Sequence, residues 1–211
     1  MFKRSGRGFL VVFSAPSGAG KSTIVREILK RSPVPGMVLS VSATTRPKRP
    51  GEQEGKDYYF LSEEEFRERI RKGEFVEWAQ VHGYLYGTLR TTVKEALERG
   101  KVLLLEIDVQ GARQVRRAFP DSVLVFVAPP SLEILGERLR ARGRDPEEEI
   151  QRRLEVAPRE LSEAENYDYI VVNRELEEAV KTVEAILIAE YHRACRFDLG
   201  GYKGGGYVIT N

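Results

Sequence analysis

Apolar residues along this chain gather into short runs separated by stretches of helical spacing. Residues 8–14, 38–42, 102–107, 123–128 and 169–172 read as strands whose continuous hydrophobicity suits burial on both faces. Residues 22–30 carry a helical pattern directly after the first run, and residues 175–193 predict a long closing helix. This alternation is the signature of an α/β fold, a parallel sheet core flanked by crossover helices.

Two segments break the rhythm. Residues 42–99 open with a polar loop holding Pro47, Pro50, Gly51 and Gly55, then give strands at 57–61 and 74–81. Between those strands, Ser62-Glu-Glu-Glu65 predicts a capping box at a helix start, and Gly73 is placed to end that helix. Thr92 and Glu95 offer a second box. The second segment, residues 137–160, is highly charged and interrupted at Gly143. Asp145 as N-cap, Pro146 as first helical residue and the acidic run 147–149 predict a helix start there. The expected organisation is a core of 1–41, 100–136 and 161–198, an inserted lobe at 42–99, a helical lid at 137–160 and a flexible Gly-rich tail at 199–211.

The 211-residue chain carries 34 Lys and Arg against 32 Asp and Glu, a net charge of +2. So balanced a charge gives no global field toward nucleic acid or an anionic membrane, and neither is expected as a partner. The basic residues cluster locally instead, at Arg46–Arg49 and from Arg138 to Arg153, on a scale suited to small anions. One cysteine, Cys195, excludes an intramolecular disulfide and fits a reducing cytosol; it is expected to be an inert packing residue. The apolar run after Lys3, Arg4 and Arg7 is short and passes straight into a phosphate-loop pattern, unlike a secretory leader. No run approaches membrane-span length, so a cytoplasmic location is expected.

The strongest chemical signal is Ala15-Pro16-Ser17-Gly18-Ala19-Gly20-Lys21-Ser22. It is a Walker A loop with Ala in place of the first Gly, set between a predicted strand and a predicted helix. Successive backbone N–H groups of such a loop converge on phosphate oxygens, and Gly18 and Gly20 allow close approach. Lys21 adds a point charge toward the β and γ phosphates of ATP, and Ser22 is the candidate ligand for Mg²⁺. A Gly-rich turn with an exposed lysine is the structural alternative, and the flanking elements argue against it.

The acceptor is a separate question. Arg46 and Arg49, with Tyr58 nearby, can grip a phosphate through forked hydrogen bonds, although in isolation a basic surface loop would be the preferred reading. Three further stretches change that balance: Phe75-Val-Glu77-Trp-Ala-Gln, Gly83-Tyr-Leu-Tyr86-Gly-Thr88 and Leu105-Glu106-Ile-Asp108-Val-Gln-Gly111. With these motifs in this order, the chain resembles guanylate kinase from about Gly8 to about Ala189.

That resemblance implies an ATP:GMP phosphotransferase, with dGMP as a further acceptor, acting in purine nucleotide metabolism without an obligate protein partner. Arg46, Arg49, Tyr58 and Tyr86 would hold the GMP phosphate. Ser42, Glu77, Thr88 and an acid from the Glu106/Asp108 pair would surround guanine, the other acid orienting Mg²⁺-bound water. The family usually shows Asp where this chain has Glu106, so the division between the two acids stays open. Arg142 and Arg153 would close over the transferring phosphoryl group, Arg138 would support the ATP phosphates, and Asn173 would contact adenine, although Asn173 is equally placed to cap the last helix.

The residue chemistry agrees with guanine. Guanine presents N1–H and an N2 amino group side by side, and an ionised Glu77 accepts from both, whereas adenine would turn a lone pair toward it. Glu106 and Asp108 sit two apart at a strand end and so share one face, and one of them has the alternative role of capping the next turn. Arg138 and Arg142 stand four apart on a helical pattern and are expected to face one way. His82, His192 and Trp78 read as structural. Two rivals carry over: a non-catalytic scaffold module, which predicts a damaged phosphate loop, and a kinase for another acceptor such as a phosphorylated sugar, which needs no guanine reader.

Overall fold

The computed structural model describes residues 3–81, 83–143 and 146–198. Chain order runs β1 (Lys3–Arg4), β2 (Phe9–Ser14), α1 (Lys21–Arg31), β3 (Met37–Leu39), β4 (Ser42–Thr44), β5 (Tyr58–Phe60) and α2 (Glu63–Arg71). It continues with β6 (Phe75–Val81), β7 (Tyr84–Leu89), α3 (Arg90–Glu98), β8 (Val102–Glu106), α4 (Val109–Ala118), β9 (Val123–Ala128) and α5 (Leu132–Ala141). The last elements are α6 (Glu147–Ser162), β10 (Tyr169–Val172), α7 (Leu176–Tyr191) and β11 (Phe197–Asp198).

The apolar runs form a five-stranded sheet in the order β10-β9-β2-β8-β3, with every pairing parallel. Central β2 is buried along its whole length, and its side chains divide by the strand period of two. Phe9, Val11 and Phe13 join a core with α1, α5, α6 and α7, whereas Leu10 and Val12 join a core with α3 and α4. Helices on both faces explain why these strands read as unbroken apolar runs. Because β2 is paired on one side by β8 and on the other by β9, the loops leaving β2 and β8 open side by side at the carboxyl edge of the sheet. Open α/β sheets bind ligands at such a point.

The predicted strand at 38–42 is in fact two strands in different sheets. Met37–Leu39 ends the core sheet, and Ser42–Thr44 begins a second, four-stranded sheet of order β5-β4-β7-β6. That sheet has its own small core of Ala43, Phe66, Phe75, Leu85 and Leu89, with Phe66 and Phe75 stacked at 4.3 Å between centroids.

Helix termini follow local chemistry in some places and tertiary packing in others. Ser62 and Glu65 make the reciprocal capping box at the start of α2, and Gly73 follows its C-cap with φ of 66°. The second box does not form: α3 begins at Arg90 after N-cap Leu89, so Thr92 lies inside the helix. The turn from β7 into α3 instead uses Arg90, which donates to the carbonyls of Gly73 and Phe75. The N-cap of α6 is Pro146, so the helix starts one residue later than expected from the sequence, and Asp145 lies outside the described residues. Asn173 does not cap α7, whose N-cap is Glu175.

Cys195 is exposed and does not pack. Strand alternation puts Trp78 outward at 39% exposure, away from the buried face that carries Glu77. His192 contacts the rings of Tyr191 and Phe197. His82 and the 199–211 tail lie outside the described residues. Among those residues, no helix is long and apolar enough to cross a membrane.

Candidate active site

The phosphate loop joins β2 to α1. Gly20 is the N-cap of α1 at φ 95°, where an L side chain is strained, and a Cβ there would lie 2.3 Å from the Asn173 side-chain nitrogen. That nitrogen donates to the carbonyl of Ala19 at 2.8 Å, so Asn173, only 5% exposed, braces the loop from behind. Arg138 extends the brace, donating to the carbonyls of Asn173 at 3.0 Å and Arg174 at 3.3 Å. Arg138 and Arg142 therefore do not face one way. Arg142 is the C-cap beyond α5 and lines the cleft, whereas Arg138 turns toward the loop between β10 and α7.

A cleft of about 550 Å³ opens in front of this loop, walled by Ala15, Pro16, Ser17, Gly18, Gly20, Lys21 and Ser22. Its opposite wall is α6, with Arg153 donating to Ser17 Oγ at 2.6 Å and to Glu149 at 3.2 Å. Ala19 is fully buried and supplies its carbonyl to Asn173 rather than a surface to the cleft.

Lys21 donates to the carbonyl of Ile107 at 2.7 Å. Its pKa is lowered because burial outweighs the opposing pull of Glu106, Asp108, Glu160 and Glu77. Ser22 Oγ donates to Glu106 Oε1. Asp108 is the N-cap of α4, accepting from the Gly111 N–H at 2.8 Å, so the capping role falls to Asp108 while Glu106 engages Ser22. Glu160, on α6 at the same cleft, has its carboxyl pKa raised by burial and then by Asp108, with Lys21 acting against them.

A second, smaller pocket of about 240 Å³ lies between the two sheets. Ser42, Tyr58, Glu77 and Tyr86 line it, together with Lys21, Glu106 and Asp108 from the first cleft. Glu77 is only 4% exposed and accepts from Thr88 Oγ1 at 2.6 Å. The two residues are cross-strand partners, and the register of β6 on β7 shifts between Phe75 and Glu77. An irregularity of that kind re-aims side chains, and here Phe75 joins the small core while Glu77 faces the pocket. Burial raises the Glu77 pKa to about 7, helped by Asp108 and opposed by Thr88 and Lys21.

Arg46 is 8% exposed, with its guanidinium carbon 5.3 Å from the centre of the Tyr58 ring, and the Tyr58 and Tyr86 rings meet edge to face at 6.0 Å. Neither Arg46 nor Arg49 lines the pocket, and Arg49 is exposed. Sequence reasoning missed Glu160, whose place depends on how α6 docks, and Gly111. A Cβ on Gly111 would stand 2.7 Å from Glu77 Oε2, so only glycine lets α4 approach the buried carboxylate this closely. A glycine three residues past Asp108, just beyond the predicted strand at 102–107, was the available signal.

Among the described residues, no group of three or more His, Cys, Asp or Glu could hold a metal ion by itself. The Ser22 hydroxyl beside the Glu106 carboxylate is nonetheless a hard-oxygen donor set at the mouth of the phosphate loop. This fits a divalent ion that takes its other ligands from nucleotide phosphates and water.

Comparison with known proteins agrees with this geometry. Residues 7–190 match the family described as Guanylate kinase. The chain is 50% identical over 190 residues to a guanylate kinase of Thermotoga maritima, covering 90% of this chain and 91% of that one. It is 51% identical over 202 residues to one from Carboxydothermus hydrogenoformans, covering 96% and 98%. The crystal structure of guanylate kinase from Anaplasma phagocytophilum superposes with a TM-score of 0.74 at 36% identity, covering 95% of this chain and 94% of that one. A phosphate loop and a pocket with a buried carboxylate, facing each other across one lysine, are thus found in a chain that belongs to the guanylate kinase family.

Proposed function

We propose that this protein transfers the γ-phosphoryl group of ATP to GMP, and also to dGMP, giving ADP and the diphosphate. One observation carries the reading. The phosphate-loop cleft and the inter-sheet pocket share Lys21, Val81, Glu106 and Asp108, so a donor in one and an acceptor in the other meet at the Lys21 ammonium.

In this reading the backbone N–H groups of residues 15–22 cradle the ATP phosphates, and Lys21 leaves the Ile107 carbonyl to follow charge onto the transferring group. Glu77, once ionised, accepts from guanine N1–H and N2–H, with Thr88 holding its other side and Ser42 completing the pocket. Arg46, Arg49, Tyr58 and Tyr86 hold the GMP phosphate, one oxygen of which attacks the γ-phosphorus as the bond to the β-phosphate oxygen breaks. No covalent enzyme intermediate is required. Arg142 and Arg153, on the lid at 137–160, neutralise the developing charge and exclude water that would otherwise hydrolyse ATP. Ser22, with the Glu106 carboxylate beside it, would hold Mg²⁺, and the ion would supply charge neutralisation across the donor phosphates. Asn173 and Arg138 keep the phosphate loop in shape from behind, beside the expected adenine end. The charge balance supports small-molecule substrates, and a cytoplasmic setting is part of this reading.

The test is a coupled ADP-release assay with ATP and Mg²⁺ across GMP, dGMP, AMP, CMP, UMP and no acceptor. Turnover confined to GMP and dGMP is expected. Turnover with another base would keep the phosphate-loop assignment and overturn guanine recognition by Glu77. Folded protein that binds nucleotide but turns over no acceptor would favour the scaffold module.

A further inference from the structure

Glu52 lies on the loop between β4 and β5, outside the linings of both pockets. Both of its carboxylate oxygens are engaged. One accepts from Arg46 Nη2 at 2.6 Å, and the other from the backbone N–H of Arg49 at 2.8 Å. Arg46 has further anchors in the Pro47 carbonyl at 2.8 Å and the face of Tyr58. Its pKa is raised first by Glu52, while Arg46 and then the Arg49 N–H hold Glu52 below the usual carboxylate range.

A flexible arginine binds a dianion well only when its fork is already aimed, because ordering it costs side-chain entropy at the moment of binding. We propose that Glu52 is a positioning residue for the acceptor phosphate, a carboxylate bridge that sets the Arg46 side chain and the Arg49 backbone in register. The inference rests on the reading that Arg46 and Arg49 hold the phosphate of GMP. A carboxylate occupying the phosphate's own place would engage the guanidinium of Arg49. Glu52 takes the Arg49 backbone N–H instead, which leaves that side chain to the ligand. The bridge therefore preorganises the site rather than competing for it.

The test compares Glu52→Gln, Arg46→Ala and the double variant, measuring KM for GMP and ATP, guanosine affinity by competition, and thermal midpoint. Glu52→Gln is expected to raise KM for GMP about 10-fold, the scale of one charge-assisted hydrogen bond. KM for ATP, guanosine affinity and thermal midpoint should stay at wild-type values, since guanosine carries no phosphate. In the Arg46→Ala background, Glu52→Gln should add little, because the amide oxygen can still accept the Arg49 N–H and the ion pair that is lost ran to Arg46. A lower KM for GMP would make Glu52 a competitor, an unchanged KM would leave it no role, and an equal loss with guanosine would reduce it to loop packing. Each of these overturns the proposal. If Arg46→Ala itself leaves KM for GMP unchanged, the phosphate-site reading fails first, and that outcome is distinct from the others.

Discussion

The phosphate loop and the proposed guanine pocket solve recognition in opposite ways. The loop is built from contiguous backbone between β2 and α1, braced behind by Asn173 on the Ala19 carbonyl. The pocket is assembled from side chains on β4, β5, β6, β7 and the end of β8, brought together across two sheets. Phosphate needs only N–H groups and positive charge, which a few residues of one turn supply. A purine edge needs a buried acceptor whose position is fixed to a fraction of an ångström, and Glu77 is held by Thr88 on one side and the close approach of Gly111 on the other. A loop that depends on backbone should tolerate side-chain changes except at its charge and at Gly18 and Gly20, where a Cβ would be strained and crowded. The pocket should respond to small changes at its carboxylate.

Removing that charge should give the largest effect. Lys21→Ala is expected to lower kcat by about 10³-fold, the scale for losing a preorganised electrostatic group. The fold should stand, because burial of the Lys21 ammonium already opposes its charged form. Near-normal turnover in steady-state assays would separate the loop from the chemistry. On the other side of the comparison, Glu77→Gln keeps the shape and the Thr88 contact but presents an amide to guanine. KM for GMP should rise about 100-fold, with ATP binding unchanged, in line with two hydrogen bonds to a charged group. Equal losses for both nucleotides would mean that the two sites are not independent in the way their construction implies.

The same contrast explains what the sequence reveals. Ala15–Ser22 is legible because strand, glycines, lysine and helix are contiguous. The central strands β2, β8 and β9 are legible because burial on both faces leaves unbroken apolar runs, whereas the half-exposed edge strand β3 reads as one with β4. The Ser62 capping box is equally local and forms as read. Thr92 offers the same local signal and fails, because the β7–α3 turn is fixed by Arg90 bonding to carbonyls before and within β6. The shared facing expected of Arg138 and Arg142 fails because Arg138 is drawn onto the carbonyls of Asn173 and Arg174. The register shift that aims Glu77, the docking of α6 that brings Glu160 to the cleft, and the Glu52 bridge all depend on partners distant in sequence or on loop geometry with no pattern of its own.

A subtler disturbance of the pocket is a methyl group on its back wall. In Gly111→Ala the new Cβ would sit 2.7 Å from Glu77 Oε2, 3.2 Å from the tip of Ile107 and 3.3 Å from Asp108 Oδ1. Something must move, and Glu77 is the side chain with space in front of it. A displacement of this kind costs on the order of 1–2 kcal/mol, so KM for GMP should rise about 10-fold while KM for ATP changes little. If both stay at wild-type values, α4 yields instead and the carboxylate is less tightly framed than its contacts indicate.

The smallest effect distinguishes the two sites by proton rather than by mutation. Burial lifts the Glu77 pKa to about 7, and guanine's paired donors require the ionised form. Below that value, binding must first remove a proton from the carboxyl, so affinity rises with pH and levels off above it. Between pH 6 and pH 7 the ionised fraction grows about 5-fold, and from pH 7 to pH 8 it grows less than 2-fold. Guanosine is the ligand to use, because it has no phosphate to titrate in this window. Its competition constant against GMP should improve by those factors in the wild type and stay flat in Glu77→Gln. ATP affinity should follow the same pH profile in the wild type and in Glu77→Gln, because any step there comes from the nucleotide's own phosphates and not from Glu77. A flat guanosine profile in the wild type would mean that Glu77 is already ionised at pH 6, its burial offset by Thr88 and Lys21. The pocket would then resemble the loop in being charged and ready before its ligand arrives.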